Sequence, residues 1–168
     1  MSGALDLDVN EVMEVIRMAF KGVSRGSGIS LHQAAAIDDY CTKEEQAEAR
    51  LLDADTCWEE VPDEWIEKSP SALSFLDSAG FRYYIPAYMM YALRSRHFDG
   101  CVTGEFAVYS LAVDAPGCPG EFKESKWKDL DGDQRKATAA FLRFMADQKN
   151  SMCGEHAQQA LNDYWASM

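Results

Sequence analysis

No stretch of this chain is both apolar enough and long enough to cross a bilayer as a helix. The most apolar segment, Tyr83–Leu93, is about half the roughly 20 residues that a span requires, and Pro86 interrupts it. Paired cysteines are missing too. Cys41, Cys57, Cys101, Cys118 and Cys153 are odd in number and widely spaced, whereas a secreted disulfide framework shows an even count at tight spacings. Five free thiols in a reducing cytosol are expected. There is no internal repeat, heptad array or low-complexity tract. No glycine loop ends in Gly-Lys-Ser or Gly-Lys-Thr to cradle phosphate. The opening Met-Ser-Gly-Ala-Leu-Asp-Leu-Asp carries acids where a secretory signal would carry bases, so a cytoplasmic location is expected.

Basic charge is scarce as well. The formal net charge is -12, and it is unevenly placed. Residues 1–80 hold 17 Asp and Glu against 6 Lys and Arg, a net of -11. Residues 81–168 hold 11 against 10, a net of -1. An acidic field repels phosphate backbones, so nucleic acid and anionic membrane surfaces are not expected partners. Solubility is the simplest use of the excess.

What is present is helical patterning. Length and composition fit one domain, 1–168, with its own core. Val9, Val12, Met13, Ile16, Ala19 and Phe20 recur at i, i+3, i+4 spacing and form one apolar stripe, which Gly22 terminates. Ser30 with Gln33, and Thr42 with Glu45, are capping boxes that open two further helices, the second running to about Ala54. Pro62 and Pro70 suit the first turns of short helices over 62–68 and 70–77. Gly80 reads as a break, and Pro86 as the start of a helix to about Arg96. Asp131 or Asp133 caps a strong helix faced by Ala137, Ala140, Phe141, Phe144 and Met145, ending near Asn150. A last helix over about Ser151–Ala166 carries Ala157, Leu161, Tyr164 and Trp165. Pro116, Gly117, Pro119 and Gly120 mark residues 114–126 as a loop. Phe106, Val108, Tyr109, Leu111 and Val113 favour a strand. The expectation is a mainly α domain with a short strand pair left open near residues 105–113, a small α+β domain being the alternative.

Aromatics are concentrated. Trp58, Trp65, Phe75, Phe81, Tyr83, Tyr84, Tyr88 and Tyr91 are 8 of the 19 and lie within a fifth of the chain, which makes core packing their first explanation; Phe75 and Leu76 are expected to be core. This block also carries a resemblance. Trp58-Glu-Glu-Val-Pro62, Ala72-Leu-Ser-Phe-Leu76 and Gly80-Phe-Arg-Tyr-Tyr-Ile-Pro-Ala-Tyr-Met89 resemble a family of small bacterial proteins of unknown function. Leu130-Asp-Gly-Asp-Gln134 and Ala140-Phe-Leu-Arg-Phe144 fit the same pattern, which covers roughly residues 9–148. The resemblance implies no activity, ligand or catalytic residue. A looser similarity is to proteins that neutralise bacterial toxins, and it is an analogy of fold.

Three chemical motifs fail on inspection. Gly22-Val-Ser-Arg-Gly26 matches the nucleophile elbow, but a helix rather than a strand precedes it, and nothing ties His156 or Asp38 to Ser24. Asp129-Leu-Asp131-Gly-Asp133 starts like a calcium loop, yet its sixth and twelfth positions are Gln134 and Ala140; helix capping explains the acids better. Cys153-Gly-Glu-His156 has ligand spacing without a second pair. His32 and His97 read as isolated and solvated. No cofactor and no metal is expected.

The preferred function is a non-catalytic protein-binding module, inhibitory or immunity-like. Its binding face would combine Trp58, Glu59, Glu60, Asp63, Glu64 and Trp65 with Arg82, Tyr84 and Tyr88, and would take a basic protein. Glu67 belongs to the same acidic run. The rival reading is a small-molecule enzyme with an aromatic-lined pocket, anchoring anions through Arg82, Arg94 or Arg96. The oligomeric state is left open.

Overall fold

The computed structural model describes residues 7–95, 102–113, 120–148 and 152–168. Among the described residues there are nine α-helices, three 3-10 turns and no strand. α1 (Val9–Ala19) starts on Asp8, whose carboxylate accepts from the Asn10 and Glu11 N–H groups. Its apolar stripe lies inward as expected: Val12, Ile16 and Phe20 are buried, and Val9, Met13 and Ala19 pack against them. Gly22 and Gly26 both take positive φ, which suits glycine, and they shape the loop before α2 (Leu31–Asp38).

The capping signals locate the next starts. At α2 the Gln33 carboxamide accepts from the Ser30 N–H at 3.3 Å. The pair meets the outline of a capping box, but the Ser30 hydroxyl itself is buried with no partner among the described residues, so only the Gln33 half is a hydrogen bond. At α3 (Lys43–Arg50) the box with Thr42 and Glu45 is complete, and the helix ends earlier than Ala54. The 3-10 turn Trp58–Glu60 and α4 (Asp63–Lys68) follow; Pro62 sits at the N-cap of α4 rather than inside its first turn. Pro70 opens a 3-10 turn, Pro70–Ser74, instead of an α-helix over 70–77. Leu76 is buried as expected, but Phe75 is only partly buried and packs on the outside of the core.

α5 (Ser78–Arg94) is the central element, with twelve buried residues. It corrects the expectation that Gly80 breaks the chain and Pro86 begins a helix. The start is set earlier by Asp77, whose carboxylate accepts from the Gly80 N–H at 2.8 Å. Gly80 is needed there because a Cβ would fall on the Ile29 carbonyl oxygen. Pro86 is therefore interior, at the expense of one backbone hydrogen bond, and packing on all sides keeps the helix formed.

Glu105–Val113 is not a strand. Residues Val102–Ser110 are α6, packed against α5, the Pro70–Ser74 turn and the C-terminal helix. Enclosure on several sides erases the one-sided pattern that marks a surface helix, leaving only the β-leaning composition to read. Residues 120–126, expected to be loop, belong to α7 (Gly120–Trp127). α8 (Gly132–Ala146) is capped by Asp131 with Gln134 in a full box, and it stops short of Asn150. α9 (Met152–Asp163) ends before Trp165, which starts a 3-10 turn to Ser167 and buries its indole with an N–H bond to the Leu111 carbonyl at 2.7 Å. α1 packs on α5 and α8, α8 on α9, and the α2–α3 hairpin lies beside the Pro70–Ser74 turn. One continuous hydrophobic cluster joins α1, α2, α5, α6, α8 and α9. No helix among the described residues is long and apolar enough to cross a membrane.

Candidate functional site

The acidic segment over the Trp58–Glu60 turn and α4 is amphipathic at very short range. Trp58, Val61 and Ile66 point inward and are buried. The Trp58 indole donates to the Phe20 carbonyl at 3.0 Å, fastening the segment to the end of α1. Trp58 thus anchors the segment. The acids Glu59, Glu60, Asp63, Glu64 and Glu67 are all exposed. Three are engaged locally. Glu60 accepts from the Thr56 N–H and hydroxyl at 2.8 and 3.1 Å, which holds its carboxyl below the usual range. Asp63 pairs with Arg94 at 2.5 Å, and Glu67 accepts from the Tyr91 hydroxyl at 2.7 Å. Among the described residues, Glu59, Glu60, Glu64 and Glu67 have no ion pair. Burial, with Glu59 and Glu60 alongside, pushes the neighbouring Cys57 thiol up and keeps it protonated. Trp65 is half-buried, its ring edge-on to His32 with centroids 4.7 Å apart.

The other expected site residues do not join this face. Arg82 spends its guanidinium on α8, donating to Gln134 at 3.0 Å and approaching Asp131 at 3.8 Å. Tyr84 is fully buried, and its hydroxyl accepts from Arg25 at 3.2 Å. Tyr88 is fully buried and donates to the Ser69 carbonyl at 2.5 Å. Burial raises both phenols, so they stay neutral at physiological pH. What does converge is a cavity of about 210 Å³ bordered by Trp58, Glu59, Ile66, Arg17 and Arg94. Arg96 and His97 lie outside the described residues.

A polar network that no sequence spacing announced lies beside Trp65. His32 is not isolated: its Nδ1 is 2.7 Å from an Asp53 carboxylate oxygen, and its backbone N–H donates to the other at 3.0 Å. The Asp53 side chain is fully buried and that of His32 is 27% exposed. An ionised carboxylate at this distance calls for a proton on the facing Nδ1. Arg25 reaches the Asp53 carbonyl at 3.3 Å and lies over the Tyr83 and Tyr84 rings. Tyr83 donates to Asp55 at 2.7 Å; the other Asp55 oxygen is buried, with no partner among the described residues. These groups come from the glycine loop, the start of α2, the turn after α3, and α5. Only tertiary folding brings them together.

The rejected motifs look as their local sequence implied. Ser24 is exposed, and its hydroxyl accepts from the Gly26 N–H. Asp131 caps α8. Cys153 is buried while His156 is exposed against Tyr109. Cys41, Cys57 and Cys153 form no disulfide among the described residues; Cys101 and Cys118 lie outside them.

A family model described as Family of unknown function (DUF6714) matches residues 8–168, and the chain belongs to that family. No curated protein and no solved structure matches the chain.

Proposed function

We propose that this member of the family is a non-catalytic binding module, inhibitory or immunity-like, that takes a basic protein on the exposed face of residues 59–67. The observation that carries the reading is the set of four exposed carboxylates with no ion pair among the described residues, Glu59, Glu60, Glu64 and Glu67, around the half-buried Trp65. Like charges held together on one short segment repel each other, and a cationic partner relieves that repulsion and is steered toward it. Trp58, Val61 and Ile66 hold the segment from beneath, while Glu60 and Glu67 add bonds to Thr56 and Tyr91. Against the rival enzyme reading stands the use of the tyrosine hydroxyls inside the fold, on Asp55, Arg25 and Ser69.

Glu59 and Glu64 are the cleanest probes, since Glu59 reaches only the neighbouring Cys57 thiol and Glu64 has no side-chain hydrogen bond among the described residues. A partner captured from lysate should lose about tenfold in affinity toward the Glu59→Lys, Glu64→Lys variant, equivalent to about 1.4 kcal/mol. Its salt dependence should flatten, and the thermal midpoint should hold. The Glu44→Lys, Glu48→Lys variant on α3 serves as the control for bulk charge. Unaltered affinity in the folded variant, or an equal loss in the control, refutes the reading.

A further inference from the structure

We propose that a cavity between α1, α8 and α9 binds a free α-amino acid with an apolar side chain. The site is separate from the acidic face, and the inference does not rest on the binding role proposed for that face. The cavity has a volume of about 410 Å³, the size of a small-ligand site. Its floor is apolar, formed by Val12 of α1, Ala140 and Phe144 of α8, and Leu161 of α9. Two opposite charges, Arg143 and Asp147, border it.

Those charges stand four residues apart on α8, where an Arg and an Asp are ordinarily close enough to pair. Among the described residues they make no ion pair. Arg143 instead reaches the Ala166 carbonyl after α9, a long contact of 3.4 Å that a better acceptor would displace. Arg143 is half-buried, whereas Asp147 is exposed at the C-cap. A cation site and an anion site are thus held apart at the edge of an apolar hollow.

A free α-amino acid presents that pattern in reverse: a carboxylate and an ammonium on one carbon, with an apolar group projecting from it. The carboxylate meets the Arg143 fork, which suits a planar two-oxygen acceptor. The ammonium meets Asp147, and the carbonyl end of α8 adds negative potential beside it. The side chain fills the floor. A ligand bearing only one of the two charges leaves the other group of the pair unanswered. A peptide cannot satisfy both, because its two charged ends sit on different residues.

The test is calorimetric and chemical-shift titration of the full chain with L-leucine and L-phenylalanine, with glycine, N-acetyl-leucine and leucinamide as comparisons. Leucine or phenylalanine should saturate with a dissociation constant below about 1 mM, and shifts should cluster on α1, α8 and α9. Glycine and both singly charged derivatives should bind at least about tenfold more weakly. In Arg143→Gln, leucine should fall to the level of leucinamide. In Asp147→Asn, it should fall to the level of N-acetyl-leucine. Ala140→Leu, which fills the floor without adding charge, should abolish binding while the thermal midpoint holds. Absence of saturation by any apolar amino acid at about 10 mM overturns the proposal, as does equal binding of leucine and its singly charged derivatives.

Discussion

Raising the pH should unfold this protein through its buried tyrosines. Tyr83, Tyr84 and Tyr88 are each at most 1% exposed. Burial is the main reason that all three phenols are raised; Asp55 adds to it at Tyr83, and Asp53 and Asp55 add to it at Tyr84. The unfolded chain ionises them near pH 10 (approximately), whereas the folded chain keeps them protonated. Above that pH the folded state binds more protons than the unfolded state, so stability falls as pH rises. Below about pH 9 the three contribute no pH dependence. Each removes about 1.4 kcal/mol per pH unit above about pH 10, and together they remove about 4 kcal/mol per unit. At that slope a typical stability of about 5–15 kcal/mol would be exhausted between about pH 11 and 14. Urea melts followed by circular dichroism from neutral to alkaline pH measure the slope, and tyrosinate absorbance counts the protons. Lysines also titrate in this range, so the Tyr88→Phe variant isolates one tyrosine. It should be weaker by about 1 kcal/mol at neutral pH, because the Ser69 carbonyl loses its donor. Its slope should be shallower by about 1.4 kcal/mol per unit, so the two curves should cross near pH 11 (roughly). Parallel curves would refute the reasoning. So would ionisation of these tyrosines before helical signal is lost.

Other perturbations follow from single contacts. Gly80→Ala should cost about 1–3 kcal/mol in urea unfolding, because its Cβ meets the Ile29 carbonyl, while Gly132→Ala, in open space at the start of α8, should gain about 0.4–1 kcal/mol. Leu76→Ala should cost about 2–5 kcal/mol and Phe75→Ala less than its size suggests, since only Leu76 is fully inside; a larger loss for Phe75 in the same assay would contradict that placement. Asp53→Ala should cost about 3 kcal/mol by thermal or urea unfolding, as it strands the His32 N–H and ring, and His32→Ala should cost less. Timed alkylation of the native protein at neutral pH should modify half-exposed Cys41 before buried Cys153, with Cys57 slowed by its raised thiol.

What was legible in the sequence was what short-range physics decides. The α1 stripe, the caps at Thr42 and Asp131 and the inward Leu76 needed no distant partner to be read. The errors share one cause. Gly80 reads as a break and Pro86 as a helix start because their local costs are visible, whereas the enclosing contacts that offset them are not. α6 looked like a strand because a helix packed on several sides loses its periodic signature. At the candidate site the acidic run was legible, since exposed charge is a property of composition. That Trp58, Tyr84 and Tyr88 are buried and bonded inside the fold is not legible, because an aromatic gives no sign of whether its polar tip finds a partner there. His32 looked solitary because Asp53, its partner, is 21 residues away.

Asp77 and Arg50 give the glycine loop a character its composition disguises. One Asp77 oxygen accepts from both Gly80 and Ile29, and Arg50 donates to the Gly26 and Gly28 carbonyls. A loop with two glycines at positive φ would ordinarily hinge, yet this one is stapled to the start of α5 and the end of α3. Opening the loop uncaps α5, and fraying α5 releases the loop. The two therefore open as one cooperative unit despite lying some fifty positions apart in the chain. Inserted residues, which surface loops commonly absorb, would here be felt first at the start of the central helix.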